Sequence, residues 1–328
     1  MPFMIYPQGA GSEQYIMTVM GKMPVQNFGK IFPHEHVITD FLGAEKLKEP
    51  RYRQEDAIAV VLPHLLRLKQ SGVGLLFECT PNYIGRNAEL LKTLSERSGI
   101  AVVTNTGYYS AVDKKFLPKH AYTETAEAIA KRWEREWQEG IGDSGIRPGF
   151  IKLGVGNGPL DEMEAKMLRA ALLLHKKSGL AIAMHTGDAA AANSEFEILK
   201  SEGVRASAMI WVHAQNASHG EREALAKKGV WISLDGVNEK GMAQYVEMIG
   251  KMKESKLLSR LLLSQDDGWM AEEMNGALQL ETYRNGNDTP YTTVLELLLP
   301  QLLKSGFTQE EIDQLLHENP IKAFALQE

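Results

Sequence analysis

The sequence predicts an α/β fold, a (β/α)8 TIM barrel with a C-terminal helical extension, and three features of the chain predict it. Eight short apolar runs recur along its length, each nearly continuous in hydrophobicity, as strands buried on both faces must be. Stretches of helical period separate successive runs, and that alternation is how a parallel barrel is wound. The polar residues of each run gather at its C-terminal end, the face on which such a barrel builds its site.

The runs occupy residues 29–36 (GKIFPHEH), 73–80 (VGLLFECT), 101–109 (AVVTNTGYY), 150–155 (FIKLGV), 180–188 (LAIAMHTGD), 208–216 (AMIWVHAQN), 230–236 (VWISLDG) and 260–269 (RLLLSQDDGW). Between them, 55–70 sets Ile58, Val61, Leu62, Leu65, Leu66 and Leu68 along one broad stripe. Residues 161–178 do the same with Met163, Met167, Leu168, Ala171, Leu172 and Leu174, and Gly179 follows where a C-cap glycine belongs. Segments 221–228 and 242–253 continue the alternation. An open doubly wound sheet would carry a Gly-rich phosphate-binding turn after its first strand, and none follows here. Beyond the eighth run a polar loop, 283–291 (YRNGNDTPY), leads into two helices, the second opened by the capping box Thr308-Gln309-Glu310-Glu311. These helices are expected to seal the barrel, so 16–328 reads as a single domain and 1–15 as an N-terminal extension, a tag scar or a leader remnant.

Composition narrows the function. The chain has 36 Lys+Arg against 42 Asp+Glu and a formal net charge of −6, which argues against the concentrated positive surface of a general nucleic-acid binder. A single cysteine, Cys79, excludes an intrachain disulfide framework and a Cys-rich zinc module. No apolar run reaches the roughly 20 residues that span a bilayer. The first fourteen residues lack the basic start and apolar core of a signal peptide. The expectation is a cytoplasmic protein with neither nucleic acid nor membrane as partner.

His34-Glu35-His36 ends the first strand, and in an extended chain residues i and i+2 share a face, so both imidazoles can look toward the barrel axis as half of a divalent-metal site. Lys152 lies within the fourth strand. A lysine enclosed by a barrel loses solvation, and a neutral amine can take up carbon dioxide to form a carbamate that bridges two cations as a carboxylate would. His185 ends the fifth strand, His213 the sixth and Asp266 the eighth. The remaining histidines, His64, His120, His175, His219 and His317, fall in helical or loop segments and read as structural. Tyr108 and Tyr109 after strand three, and Trp269 after strand eight, are candidates for the substrate-binding mouth. Asp267 reads as a loop carboxylate, Arg86 as a loop-shaping residue and Cys79 as a small apolar filler.

The segment IMTVMGKMPVQNFGKIFPHEH (16–36), GFIKLGV around Lys152, the stretch PLDEMEAKMLRAALLLHKKSGLAIAMHTGD ending at Asp188, WVHAQN at His213, LLLSQDDGW and the closing ENPIKAF together resemble the phosphotriesterase-like members of the amidohydrolase superfamily, over 16–324. The resemblance implies a binuclear metal hydrolase. His34, His36 and Asp266 would hold the more buried ion and His185 and His213 the more exposed one, with N6-carboxylated Lys152 and a hydroxide bridging the pair. Zinc is the expected metal, with manganese, cobalt or iron as alternatives. Asp266 would also be the catalytic residue, accepting the proton as the bridging hydroxide attacks. The resemblance further implies a homodimer.

Family members that hydrolyse lactones often carry an arginine just after strand seven, where SLDGVN of this chain has Gly236. That departure weakens a simple N-acyl-homoserine-lactone assignment. The loop there is also short, which disfavours bulky apolar substrates. The leading expectation is therefore hydrolysis of a small lactone or carboxylic ester, a lactonase or esterase. Two alternatives stay open: a phosphotriester or phosphodiester hydrolase using basic residues such as Lys114, Lys115 and Lys119 at the mouth, and a catalytically silent barrel that only binds.

Overall fold

A computed structural model describes residues 14–327. Residues 1–13 of the expected extension lie outside the described residues; positions 14 and 15 open an N-terminal hairpin, Gln14–Thr18 with Gly21–Pro24. The eight predicted runs become the barrel strands, in order Lys30–Glu35, Val73–Glu78, Ala101–Val103 continued by Asn105–Thr106, Phe150–Val155, Ile182–Thr186, Met209–Val212, Trp231–Leu234 and Leu261–Leu263. Each pairs in parallel with the next. The His34 backbone N–H donates to Ser264 Oγ at 3.1 Å and links the first strand to the segment leaving the eighth.

Alternation along the strands sorts two cores. Ile31, Phe77, Phe150, Ala183, Ile210 and Leu262 belong to the inner core, which fills the barrel. Their sequence neighbours Phe32, Leu76, Ile151, Met184, Trp211 and Leu263 pack outward under the helices. The helices form where the apolar stripes predicted them: Gln54–Gln70 buries Ile58, Val61, Leu65 and Leu68, although Leu66 is exposed. Glu162–Ser178 opens on a capping box between Asp161 and Glu164 and closes on Gly179, left-handed at φ 73 with its N–H on the His175 carbonyl. The expected capping box at Thr308 is also present. The last helical segment, Asn319–Phe324, drives Phe324 beneath the barrel, its ring centroid 4.0 Å from that of Phe77. Phe324 thus joins the inner core, while Leu298, Leu302, Leu315 and Leu316 of the preceding tail helices pack with the outer layer.

One element departs from the sequence reading. Trp269 does not end the eighth strand; it begins an antiparallel hairpin, Trp269–Met274 with Ala277–Thr282, whose first strand also pairs with Ile38–Thr39. Glu272 and Glu281 on one face, with Glu273 at the end of the other, break the continuous apolar run by which the buried strands were recognised. Asn275-Gly276 at its tip, both with positive φ, is the two-residue turn signal that marks such a hairpin.

Candidate metal centre

Phe32 packs outward, and strict alternation from it would send His34 and His36 outward too. A break in the register between Phe32 and Glu35 reverses that parity, as a bulge re-aims side chains beside a site. His34 Nε2 and His36 Nε2 then each stand 3.2 Å from Asp266 Oδ1. One ligand atom from each of the three lies within 4.8 Å of the others. Asp266 Oδ1 is buried and yet makes no hydrogen bond. The three atoms are aimed at a common point rather than at one another, and two ligands of a tetrahedral zinc stand roughly 3.4 Å apart.

Two of the opposite ring nitrogens, those of His36 and His213, are tied down, while that of His34 makes no hydrogen bond. His36 Nδ1 is 2.8 Å from Thr80 Oγ1, whose hydroxyl in turn donates to Glu78. His213 Nδ1 donates to Asp235 Oδ1 at 2.8 Å, and His34 Nδ1 lies 3.5 Å from Asp235 Oδ2. Securing Nδ1 in this way leaves Nε2 as the free lone pair, the arrangement metal-ligating histidines use. Burial, then the charge of Lys152, pushes His34 down to about 4, so it is a neutral imidazole near pH 7. Burial also raises the carboxyl of Asp266, but His34 and His36 outweigh it and hold the group well below the usual carboxylate range. The donor set fits a divalent cation.

Lys152 and His185 follow the strand alternation directly, as Phe150 and Ala183 two residues before them face the barrel interior. Lys152 is 2% exposed and its Nζ has no hydrogen-bond partner. Gly107, at φ +122, lets the third strand approach the Lys152 carbonyl where a Cβ would come to 2.1 Å of the oxygen. The His185 and His213 ring centroids are 4.3 Å apart, and those of His213 and His34 5.4 Å. His213 reaches the site by a left-handed backbone, φ 63, and Asp266 by another, φ 58. Such conformations in non-glycine residues are uncommon and cluster at functional sites. The structure thus brings His34, His36 and Asp266 together, with His213 Nε2 3.9 Å from Asp266 Oδ2, the His185 ring edge-on to that of His213 and Lys152 on the adjoining strand.

The candidates for the mouth divide. Tyr109 stands over the site with its ring 5.0 Å from His185, seated on Gly154, where a Cβ would lie 2.2 Å from Tyr109 Cδ2. Tyr108 does not line the mouth: neighbours on an extended chain face opposite ways, and its buried hydroxyl meets His120 Nε2 at 2.9 Å while its ring packs on Trp133. Trp269 is likewise turned away, 2% exposed and packed on His64 and Tyr291, because it belongs to the hairpin. Tyr283, just after that hairpin, stands beside the site instead, its ring 5.7 Å from His36 and its hydroxyl donating to Thr39.

Asp235 and Tyr283 were not singled out from the sequence, since Asp235 falls within the seventh strand run, weighed only for its Gly236, and YRNG reads as a loop. Asp267 accepts from Asn287 Nδ2 and the Tyr291 N–H, anchoring the 285–291 loop. Arg86 is a buried partner of Glu136 with an N–O distance of 2.6 Å, and Cys79 is a buried thiol beside the Pro33 carbonyl. The five remaining histidines stay outside the cluster.

The barrel and its site define a metal-dependent hydrolase. The chain belongs to the phosphotriesterase family, whose model matches residues 14–324. It is 26% identical over 301 residues to the phosphotriesterase homology protein of Escherichia coli K12, covering 90% of this chain and 98% of that one. It is 23% identical to the N-acetyltaurine hydrolase of Danio rerio, covering 93% and 96%. Among solved structures it resembles the organophosphorus hydrolase of Deinococcus radiodurans, with a TM-score of 0.82, 26% identity and coverage of 98% and 100%. A chain engineered for organophosphate hydrolysis from a weak promiscuous lactonase superposes with a TM-score of 0.83 at 25% identity, covering 94% and 99%. Among the described residues no helix is long and apolar enough to cross a membrane.

Proposed function

We propose that the chain is a binuclear metal-dependent hydrolase that cleaves a small lactone or carboxylic ester. His34, His36 and Asp266 would hold one ion, zinc by preference, and His185 and His213 the other. Addition of Lys152 Nζ to carbon dioxide, with loss of a proton, would give an N6-carboxylate as a further ligand; the partnerless buried amine supports this assignment. Divalent cations held there would supply Lewis acidity for the scissile oxygen and for activating water. Asp266 would take up a proton during hydrolysis and pass it toward the leaving group. Asp235 and Thr80 keep the imidazoles aimed, and Tyr109 and Tyr283 wall the mouth with uncharged rings.

A single observation supports an uncharged ester over an anionic phosphoester. The three lysines that could greet an anionic substrate are engaged elsewhere: Lys114 with Asp161, Lys115 Nζ with the Phe41 carbonyl at 2.6 Å, and Lys119 near Glu45 at 3.6 Å. A phosphoester hydrolase remains the second reading, favoured by the phosphate in the active site of the E. coli relative. The test is a screen of zinc- and bicarbonate-reconstituted protein against lactones, carboxylic esters, N-acyl amides and phosphate mono-, di- and triesters. Turnover of lactones or esters is expected; turnover confined to phosphoesters overturns the choice.

A further inference from the structure

We propose that Glu35, the middle residue of His34-Glu35-His36, is the positioning residue that holds Asp266 in its left-handed backbone. Alternation turns Glu35 away from the imidazoles and toward the chain leaving strand eight. There its Oε1 accepts from the Gln265 backbone N–H at 3.0 Å and from Gln265 Nε2 at 2.5 Å, and its Oε2 accepts from the Asp267 backbone N–H at 2.8 Å. The two backbone amides that flank Asp266 therefore converge on one carboxylate.

In an extended strand those amides, two residues apart, would be separated by about 6.6 Å, too far for a single carboxylate to span with two good bonds. Asp266 at φ 58 contracts that spacing. The clamp and the strained residue require each other: such a backbone persists only where its surroundings enforce it. The outer ends of the clamp are themselves anchored. Gln265 Oε1 accepts the Val294 N–H at 2.8 Å, and the Asp267 carboxylate accepts the Tyr291 N–H at 2.7 Å. Glu35 is 0% exposed and has no cationic partner among the described residues, an expensive placement for a carboxyl whose only task was packing.

The inference rests on Asp266 being a metal ligand and proton acceptor. Its test is Glu35→Gln, which puts an amide NH2 against one of the two N–H groups and opens one jaw. With zinc as the probe, the variant is expected to release one of its two ions to a chelator about 10- to 100-fold faster than wild type. Its kcat should fall by a similar factor while KM stays within about twofold, since Tyr109 and Tyr283 are untouched. Glu35→Asp, which keeps the carboxyl but is one methylene short, should give a smaller loss of the same kind and serves if Glu35→Gln does not fold. Asn319→Ala is the control. Asn319 Nδ2 bonds the Leu258 and Leu261 carbonyls at 2.8 Å, at the far end of strand eight, so its loss destabilises the strand without reaching Asp266. It should lower Tm and leave ion release and kcat unchanged. Wild-type ion retention in both Glu35 variants, or an equal loss in Asn319→Ala, overturns the positioning role alone. Absence of zinc from His34, His36 and Asp266 in wild type overturns the metal site and this inference together.

Discussion

Replacement of Asp235 tests how much of the site's affinity comes from groups that never touch the ion. Asp235 is wholly buried, accepts from His213 Nδ1 at 2.8 Å and from the His213 backbone N–H at 3.1 Å, and faces His34 Nδ1 at 3.5 Å. Burial disfavours its charge, but His213 and His34 overcome that and keep the carboxyl below its ordinary range. A hydrogen bond to a charged partner contributes about 1.5–3 kcal/mol and a neutral one about 0.5–1.5. Asp235→Asn therefore costs about 1–2 kcal/mol, roughly a 5- to 30-fold loss of affinity for the ion at His213. Asp235→Ala also leaves His213 N–H donors buried and unpaired, adding about 1–3 kcal/mol. Competition for zinc with a chromophoric chelator, read beside kcat/KM on the same preparations, measures both. An alanine variant that retains zinc within about twofold of wild type would refute the reasoning.

Three further outcomes are expected. Lys152→Ala should hold fewer than two ions and lose turnover, and short carboxylic acids should restore part of both, as metal analysis and rate measurements would show. Gly154→Ala places a methyl where Tyr109 lies, 2.2 Å from its Cδ2, so KM should rise several-fold with metal content unchanged. Arg86→Ala leaves Glu136 buried without its partner and should cost about 3–5 kcal/mol in denaturant unfolding. Burial raises the Glu136 carboxyl, and Arg86 more than compensates, so its folded pKa lies below the ordinary 4.5. The stability this provides is complete above about pH 4.5 and fades as pH falls through the lower folded value, and Glu136→Gln should remove that part of the acid dependence.

The barrel was legible because parallel strands buried on both faces leave unbroken apolar runs, and Lys152 and His185 sit where alternation from Phe150 and Ala183 points inward, whereas Asp266 was found by its position at a strand end and not by the left-handed backbone that turns it into the site. His34, His36 and His213 were found by residue type and strand-end position, while the means of their arrival was hidden. A register break turns the first pair, and a left-handed residue turns the third. Neither leaves a mark in hydrophobic periodicity. Tyr108 and Tyr109 could not be separated without knowing where Gly107 changes the chain's direction. The hairpin after strand eight was missed because one of its faces is charged, and with it went Tyr283. Asp235 and Glu35 act on residues distant in sequence, and only the closed barrel brings them to His213 and Asp266.

A two-ion centre joined by a modified lysine is open to anomalous diffraction from zinc-reconstituted crystals grown with bicarbonate. Two anomalous peaks are expected, one among His34, His36 and Asp266 and one at His185 and His213, with density for a carboxylate continuous with Lys152 Nζ between them. A single peak beside an unmodified Lys152 would contradict it.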